Sequence, residues 1–191
     1  TAAATEAETT AAESAAEESS AEETKAAADI ETVTPGKLTV ATSPDFAPYE
    51  FYAIGEDGTP KLAGFDMDLA QYIADYLGLE LEVVTVDFDG VISELQTKSV
   101  DLGMAGLSPD EKRMGIMDFS DLYYMGGQSL VTVKDNAEKY NSFEAINKPD
   151  VSVGAQVGSI QMDLANENSP EADIVGLPKV TDIISELLTG K

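Results

Sequence analysis

Along this chain the spacing of apolar positions changes repeatedly, and each change marks an element. Leu38-Thr-Val-Ala-Thr42 alternates and is rich in β-formers, which predicts a strand. Tyr49 to Ile54 reads as a second strand, with Glu56-Asp-Gly58 as the hairpin turn that leaves it. Phe65, Leu69, Tyr72, Ile73, Tyr76 and Leu77 then fall at i, i+4, i+7, i+8, i+11 and i+12. That spacing predicts one helix with these residues facing the core, stopped by Gly78. Leu81 to Val86 is the next expected strand. Asp89 is expected to cap a short helix that turns Val91, Ile92 and Leu95 inward. Val100 to Met104 closes this half as a buried strand. A β-α-β-α-β order argues for a mostly parallel sheet with helices on its faces.

The second half repeats the alternation. Gly126-Gly127 suits a hinge or a plain turn, and a strand is expected from Ser129 to Val133. Helices are expected at Ser142–Ile146, Ser159–Glu167 and Thr181–Leu188, with strands at Val151–Gly154 and Asp173–Leu177. A parallel lobe that ends on a helix with no strand after it reads as unfinished. The expected organisation is a leader over 1–33, a first α/β lobe over 34–126 and a truncated second lobe over 127–191.

Composition narrows the chemistry. Eleven basic residues against 36 acidic ones leave a net charge of −25 in 191 residues, which repels nucleic acid and anionic membranes and favours a soluble monomer. The chain has no Cys and no His. Disulfides, thiolate nucleophiles, Ser-His-Asp catalysis and the commonest transition-metal sites are thereby excluded, and neither a metal nor another cofactor is expected. No stretch approaches a transmembrane length. Residues 1 to 31 are mostly Ala, Glu, Thr and Ser, with nine acids and one lysine. Lacking large apolar groups, such a segment is expected to be a disordered, self-repelling tether.

The stretch most suited to recognition runs from Met104 to Ser120. Gly106, Ser108 and Pro109 predict an exposed turn, and the turn carries Arg113, the single arginine of the chain. A guanidinium fork matches a carboxylate in two parallel hydrogen bonds, and the Ser108 hydroxyl and backbone N–H groups near Gly106 could share the load. Phe46 and Phe88 occupy loops at strand ends, where ligands of open α/β sheets bind. In the second half, Ser159 is expected to cap a helix whose free N–H groups at Ile160 and Gln161 favour an anion.

Together these pieces resemble the solute-binding proteins of bacterial amino-acid ABC importers. The matching residues are Lys37-Leu-Thr-Val-Ala-Thr42, Phe46-Ala-Pro-Tyr-Glu-Phe51, Gly64-Phe-Asp-Met-Asp-Leu-Ala70, Asp101 to Ser108, Arg113, Asp118-Phe-Ser120 and Gly158-Ser-Ile-Gln161. The resemblance implies an α/β, two-lobed, periplasmic-binding-protein-like type II fold, a Venus flytrap whose second lobe is incomplete here. It implies capture of a free amino acid for the membrane permease of an ABC importer. Phe46 and Phe88 would sandwich the ligand, while Ala105, Gly106, Ser108 and Arg113 would hold its carboxylate. Gln156, Ile160 and Gln161 would reach it from the second lobe. Ser43 stands where many relatives carry an acid, which argues against a preference for cationic side chains. The resemblance also implies an extracellular or periplasmic location, with the leader joined to an inferred lipid-anchored cysteine.

Two rivals share the fold. One is the ligand-sensing domain of a signalling protein. The other is an enzyme similar to cyclohexadienyl dehydratases, with Glu50 or Asp45 as general acid.

Overall fold

A computed structural model describes residues 30–191. Most of the leader lies outside these described residues. Strand β1 (Lys37–Thr42) is the centre of a parallel sheet ordered β5-β1-β6, with β5 at Glu80–Thr85 and β6 at Leu102–Gly103. Five of its six residues are buried, as a strand covered on both faces requires. Helix α1 (Phe65–Leu77) covers one face, where Leu38 and Val40 meet Ala70, Ala74 and Met104. Helix α2 (Phe88–Gln96) covers the other, where Ala41 meets Phe88, Val91, Val100 and Ala105. An antiparallel meander of β2 (Asp45–Phe46), β3 (Glu50–Ile54) and β4 (Pro60–Ala63) is inserted between β1 and α1.

The chain then crosses to a second, two-stranded parallel sheet. It passes the short helix α3 (Glu111–Met114), a single 3-10 turn (Lys134–Asn136) and the short α4 (Phe143–Ile146), which Ser142 caps. The second sheet pairs β7 (Ser152–Gln156) with β8 (Asp173–Leu177). Helices α5 (Ile160–Asn168) and α6 (Val180–Thr189) follow the two strands. A Cβ on Gly154 would meet Ile183 of α6, and one on Gly176 would meet Met162 of α5. Gly176 pairs with Ala155, the neighbour of Gly154, so the two helices lie on opposite faces of this sheet.

Several expectations need correction. The strand expected at Ser129–Val133 is absent, since this stretch pairs with no other strand. The Val100–Met104 strand shrinks to Leu102–Gly103, because the chain bends at once into the Met104–Ser108 loop. In α1 the buried residues are Asp66, Met67, Ala70 and Ala74, while Phe65, Tyr72 and Tyr76 are exposed. The sheet approaches this helix closely and accepts small side chains there, so the aromatic stripe turns outward. Asp89 does not cap α2. The N-cap position belongs to Asp87, and Asp89 sits in the first turn, where a negative charge suits the helix dipole. The Gly78 stop holds: at φ of 66° its N–H donates back to the Asp75 carbonyl at the end of α1.

Candidate functional site

The Met104–Ser120 stretch is the first wall of the site, and its arginine is not exposed. Arg113 lies in α3 and is only 6% accessible. The Asp110 carboxylate caps α3 by accepting from the Arg113 N–H at 2.9 Å, and its other oxygen stands 3.1 Å from Arg113 Nε. Nη1 donates to the Ser108 carbonyl at 2.8 Å, and Nη2 donates to the Gly158 carbonyl at 2.9 Å. The guanidinium lies 5.8 Å from the centre of the Phe88 ring, within cation–π range. A guanidinium has two N–H bonds on each terminal nitrogen, so one on each remains without a partner among the described residues. Asp110 thus sets the plane of a fork that still has a free prong on each side.

Gly106 makes the turn that brings the loop round to Arg113, with φ of 56°, a region costly for any side chain. A Cβ there would also press on the Phe46 ring at 3.2 Å. Its N–H, expected to hold a carboxylate, is committed instead to Oδ2 of the buried Asp66 at 2.9 Å. The Ser108 N–H and hydroxyl have no partner among the described residues, and so remain as donors beside the guanidinium. Ala105 is buried under the loop among the α2 face of the core. Phe88 joins the same cluster, so its ring fills core with one side and meets Arg113 with the other. Phe46 stacks on Tyr49 with ring centres 5.3 Å apart.

The second wall comes from β7 and α5. Ser159 caps α5 as expected, accepting from the Met162 N–H and donating to the Gln156 carbonyl. The Ile160 and Gln161 N–H groups have no acceptor among the described residues. Gly158, with φ of 76°, brings the two walls together, and its missing Cβ would stand 3.2 Å from Cβ of Asp89. The Gln156 and Gln161 side chains, expected to face a ligand, are both occupied. Gln161 Nε2 donates to Gln128, and Gln156 Nε2 donates to Pro178 and to Asp45.

Asp45 is a residue that sequence reasoning used only as a rival acid. Its Oδ1 accepts from the Ser43 hydroxyl at 2.9 Å. Its Oδ2 accepts from Gln156 Nε2 at 3.1 Å and from the Val180 N–H, at the start of α6, at 2.6 Å. Beside this clasp is a cavity of about 540 Å³. Its wall includes Ser43, Asp45, Tyr52, Thr85, Asp87 and Lys179. Of the expected site residues only Ser43 reaches it. Lys179 stands 3.9 Å from Asp87, both about half exposed, so the pairing is weak. Among the described residues no group of three or more acidic, His or Cys side chains is disposed to hold a metal, and no helix is long and apolar enough to cross a membrane.

Residues 38–185 match the sequence profile of the bacterial extracellular solute-binding proteins, family 3. The chain belongs to that family. Its fold is therefore of the two-lobed type II periplasmic-binding-protein class, of which this chain carries the β5-β1-β6 and β7–β8 sheets. The chain is 35% identical over 153 residues to the arginine-binding extracellular protein ArtP of Bacillus subtilis, covering 79% of this chain and 56% of that protein. It is 30% identical over 156 residues to the cyclohexadienyl dehydratase of Pseudomonas aeruginosa, covering 82% of this chain and 57% of the enzyme. Among solved structures it is similar to an amino acid ABC transporter substrate-binding protein of Streptococcus pneumoniae bound to L-arginine. There the TM-score is 0.77 and the identity 38%, over 81% of this chain and 63% of that one. The chain thus spans less than two thirds of the length of these relatives.

Proposed function

We propose that this chain is the ligand-binding part of an extracellular receptor that captures a free amino acid and delivers it to the permease of an ABC importer. The carrying observation is Arg113, buried between the two walls with a free N–H on each terminal nitrogen. Ser108, whose carbonyl Arg113 bonds, and the α5 amides at Ile160 and Gln161, just beyond Gly158, would supply further donors. Such a convergence of unpaired donors suits a carboxylate, whose desolvation is costly unless each oxygen is met. The lobes, with boundaries at 34–126 and 127–191, would close on the ligand between Phe46 and Phe88. Closure then contributes affinity and makes a shape that a permease can sense.

The ligand we assign is an amino acid with a cationic side chain, arginine foremost. Relatives that bind arginine support this. The residue 1–33 leader would act as the tether from a lipid-anchored cysteine. A thermal-shift screen of the twenty amino acids on the full-length protein, followed by calorimetry, is the test. Arginine should give the largest rise in melting point, because it binds only the folded state. No shift with any amino acid would remove the reading. The likeness to a dehydratase keeps one rival in view, and prephenate or arogenate turnover would favour it. The carboxyls available to such an enzyme are enclosed, however. Glu50 has no exposure, and Asp45 is held by Ser43, Gln156 and Val180.

A further inference from the structure

Two carboxyl side chains of the first lobe, Glu50 and Asp66, have no solvent exposure at all, and ligand capture as described uses neither. Asp66 lies in the first turn of α1. One of its oxygens accepts from the Gly106 N–H at 2.9 Å, and the other accepts from the Tyr123 hydroxyl at 3.1 Å. These donors belong to different parts of the molecule. Gly106 bends the loop that presents Ser108 and Arg113. Tyr123 lies at the near end of the crossover that carries the chain to the second lobe. Beyond Gly126-Gly127, the same crossover is fastened to α5 through Gln128 and Gln161 at 2.8 Å.

Glu50, on β3, stands beside Asp66, and both of its oxygens lack a partner among the described residues. Two adjoining buried carboxyls cannot both be charged without a steep cost. The donors decide which one keeps the proton. Asp66 receives two hydrogen bonds, whereas Glu50 receives none and is the neutral acid. Burial first, then the charge of Asp66, push the Glu50 carboxyl up to about 10, in keeping with this assignment. Burial and the same charge raise the Tyr123 hydroxyl above its ordinary range, so it remains a donor.

We infer that Asp66 is a positioning residue for ligand capture, joining the Gly106 turn of the ligand loop to Tyr123 of the crossover. The loop that meets the carboxylate and the segment that lets the lobes move are then held by one side chain. A loop set correctly for a ligand therefore also fixes where the crossover begins. The binding arm of the test rests on the receptor reading; the spectroscopic arm does not.

The full-length protein serves for both arms. Arginine affinity is measured by calorimetry, far below the melting temperature, for wild type, Asp66→Ala, Asp66→Asn and Tyr123→Phe. Asp66→Ala removes the shared acceptor of the Gly106 N–H and the Tyr123 hydroxyl and should weaken binding by about ten- to a hundredfold. Asp66→Asn can accept from Gly106 and donate to the Tyr123 oxygen, and should recover most of that loss. Tyr123→Phe should weaken binding by roughly three- to tenfold with little change in melting point. A purely structural tyrosine would do the reverse. Wild-type affinity in Asp66→Ala or in Tyr123→Phe overturns the proposal, and the second variant decides if the first does not fold. In the infrared, a protonated-carboxyl band at neutral pH should vanish in Glu50→Gln and persist in Asp66→Asn. The opposite pattern would put the proton on Asp66 and overturn the assignment. If wild type binds no arginine, the receptor reading fails while the infrared result still reports on the buried pair.

Discussion

The β5-β1-β6 sheet and the β7–β8 sheet are built by the same alternation of strands and helices, yet they bury very different shares of themselves. In the first, β1 is covered on both faces and two clusters of buried residues flank it. In the second, the buried apolar residues of β7 and α5 are Ala155 and Ala165, and α6 buries none. Ile184 and Leu188 of α6 are exposed, as is Val175 of β8. The first lobe therefore has a core of its own on both faces of β1. The part of the second present in this chain, which spans less than two thirds of its relatives' length, is a thin layer that meets the first through polar clasps at Gly158, Gln156 and Val180. In the proposed receptor, contacts between the lobes would have to break without unfolding either.

If the first lobe holds the ligand's charge, its arginine should outweigh any contribution of the second. Arg113→Ala should leave the ligand carboxylate unpaired at a cost of roughly 3–5 kcal/mol, or two to four decades in Kd. Calorimetry on the full-length protein checks it, and a loss below about fivefold would sink the assignment. The difference in packing can be tested by stability alone. Met104→Ala empties part of the α1-facing cluster and should cost about 2–5 kcal/mol. Leu188→Ala, on the exposed face of α6, should stay within about 0.5 kcal/mol. Chemical denaturation followed by circular dichroism measures both, and equal costs would erase the contrast between the lobes.

The clasp is the next weaker element. Asp45→Ala removes acceptors for Gln156, Val180 and Ser43, and should cost about 1.5–3 kcal/mol of contact between the lobes. Hydrogen exchange would read it as faster exchange of the Val180 amide, with the β1 amides unchanged. Uniform acceleration through both lobes would show that they unfold as one body, against the picture of a separable thin layer.

How much of this was legible beforehand follows from what periodicity can carry. The β1 alternation, the Gly78 stop, the Asp173–Leu177 strand and the Ser159 cap are local patterns, and the structure contains each of them. Ser129–Val133 has equally good local propensity and forms no strand, since a strand exists only through a partner. Arg113 was singled out by being unique, but its burial depends on Asp110, Ser108 and Gly158 folding around it. The Glu50–Asp66 pair was harder to see. In Glu50-Phe-Tyr-Ala-Ile54 the letters suggest an exposed acid between apolar neighbours, whereas Glu50 is enclosed and Tyr52 and Ile54 face solvent. The one signal for Asp66 was its place in the Gly64-Phe-Asp run, which carried the resemblance without saying what the acid touches.

That pair also supplies an effect of pH, one confined to the first lobe. In the folded protein the Glu50 carboxyl holds its proton up to about 10, whereas an unfolded chain releases it near the ordinary value of 4.5. Between those limits the folded state binds the extra proton, so rising pH favours unfolding. The stabilisation is complete below about 4.5 and is lost as pH climbs towards 10. The slope is bounded by about 1.4 kcal/mol per pH unit, the value for one proton. Asp66 on α1 and Asp45 on β2 face Glu50 and add to the effect, while Tyr49 and Tyr123 stay neutral over this range because their hydroxyls are themselves pushed up. Many surface carboxylates also respond to pH, so the informative quantity is the difference between wild type and Glu50→Gln. Denaturation midpoints from pH 5 to 9 should fall more steeply for wild type, and the glutamine variant, which cannot ionise, should give the flatter line. Parallel lines would mean that Glu50 is already charged in the folded protein, and the first lobe would then lack the neutral acid on which its closed packing around Asp66 depends.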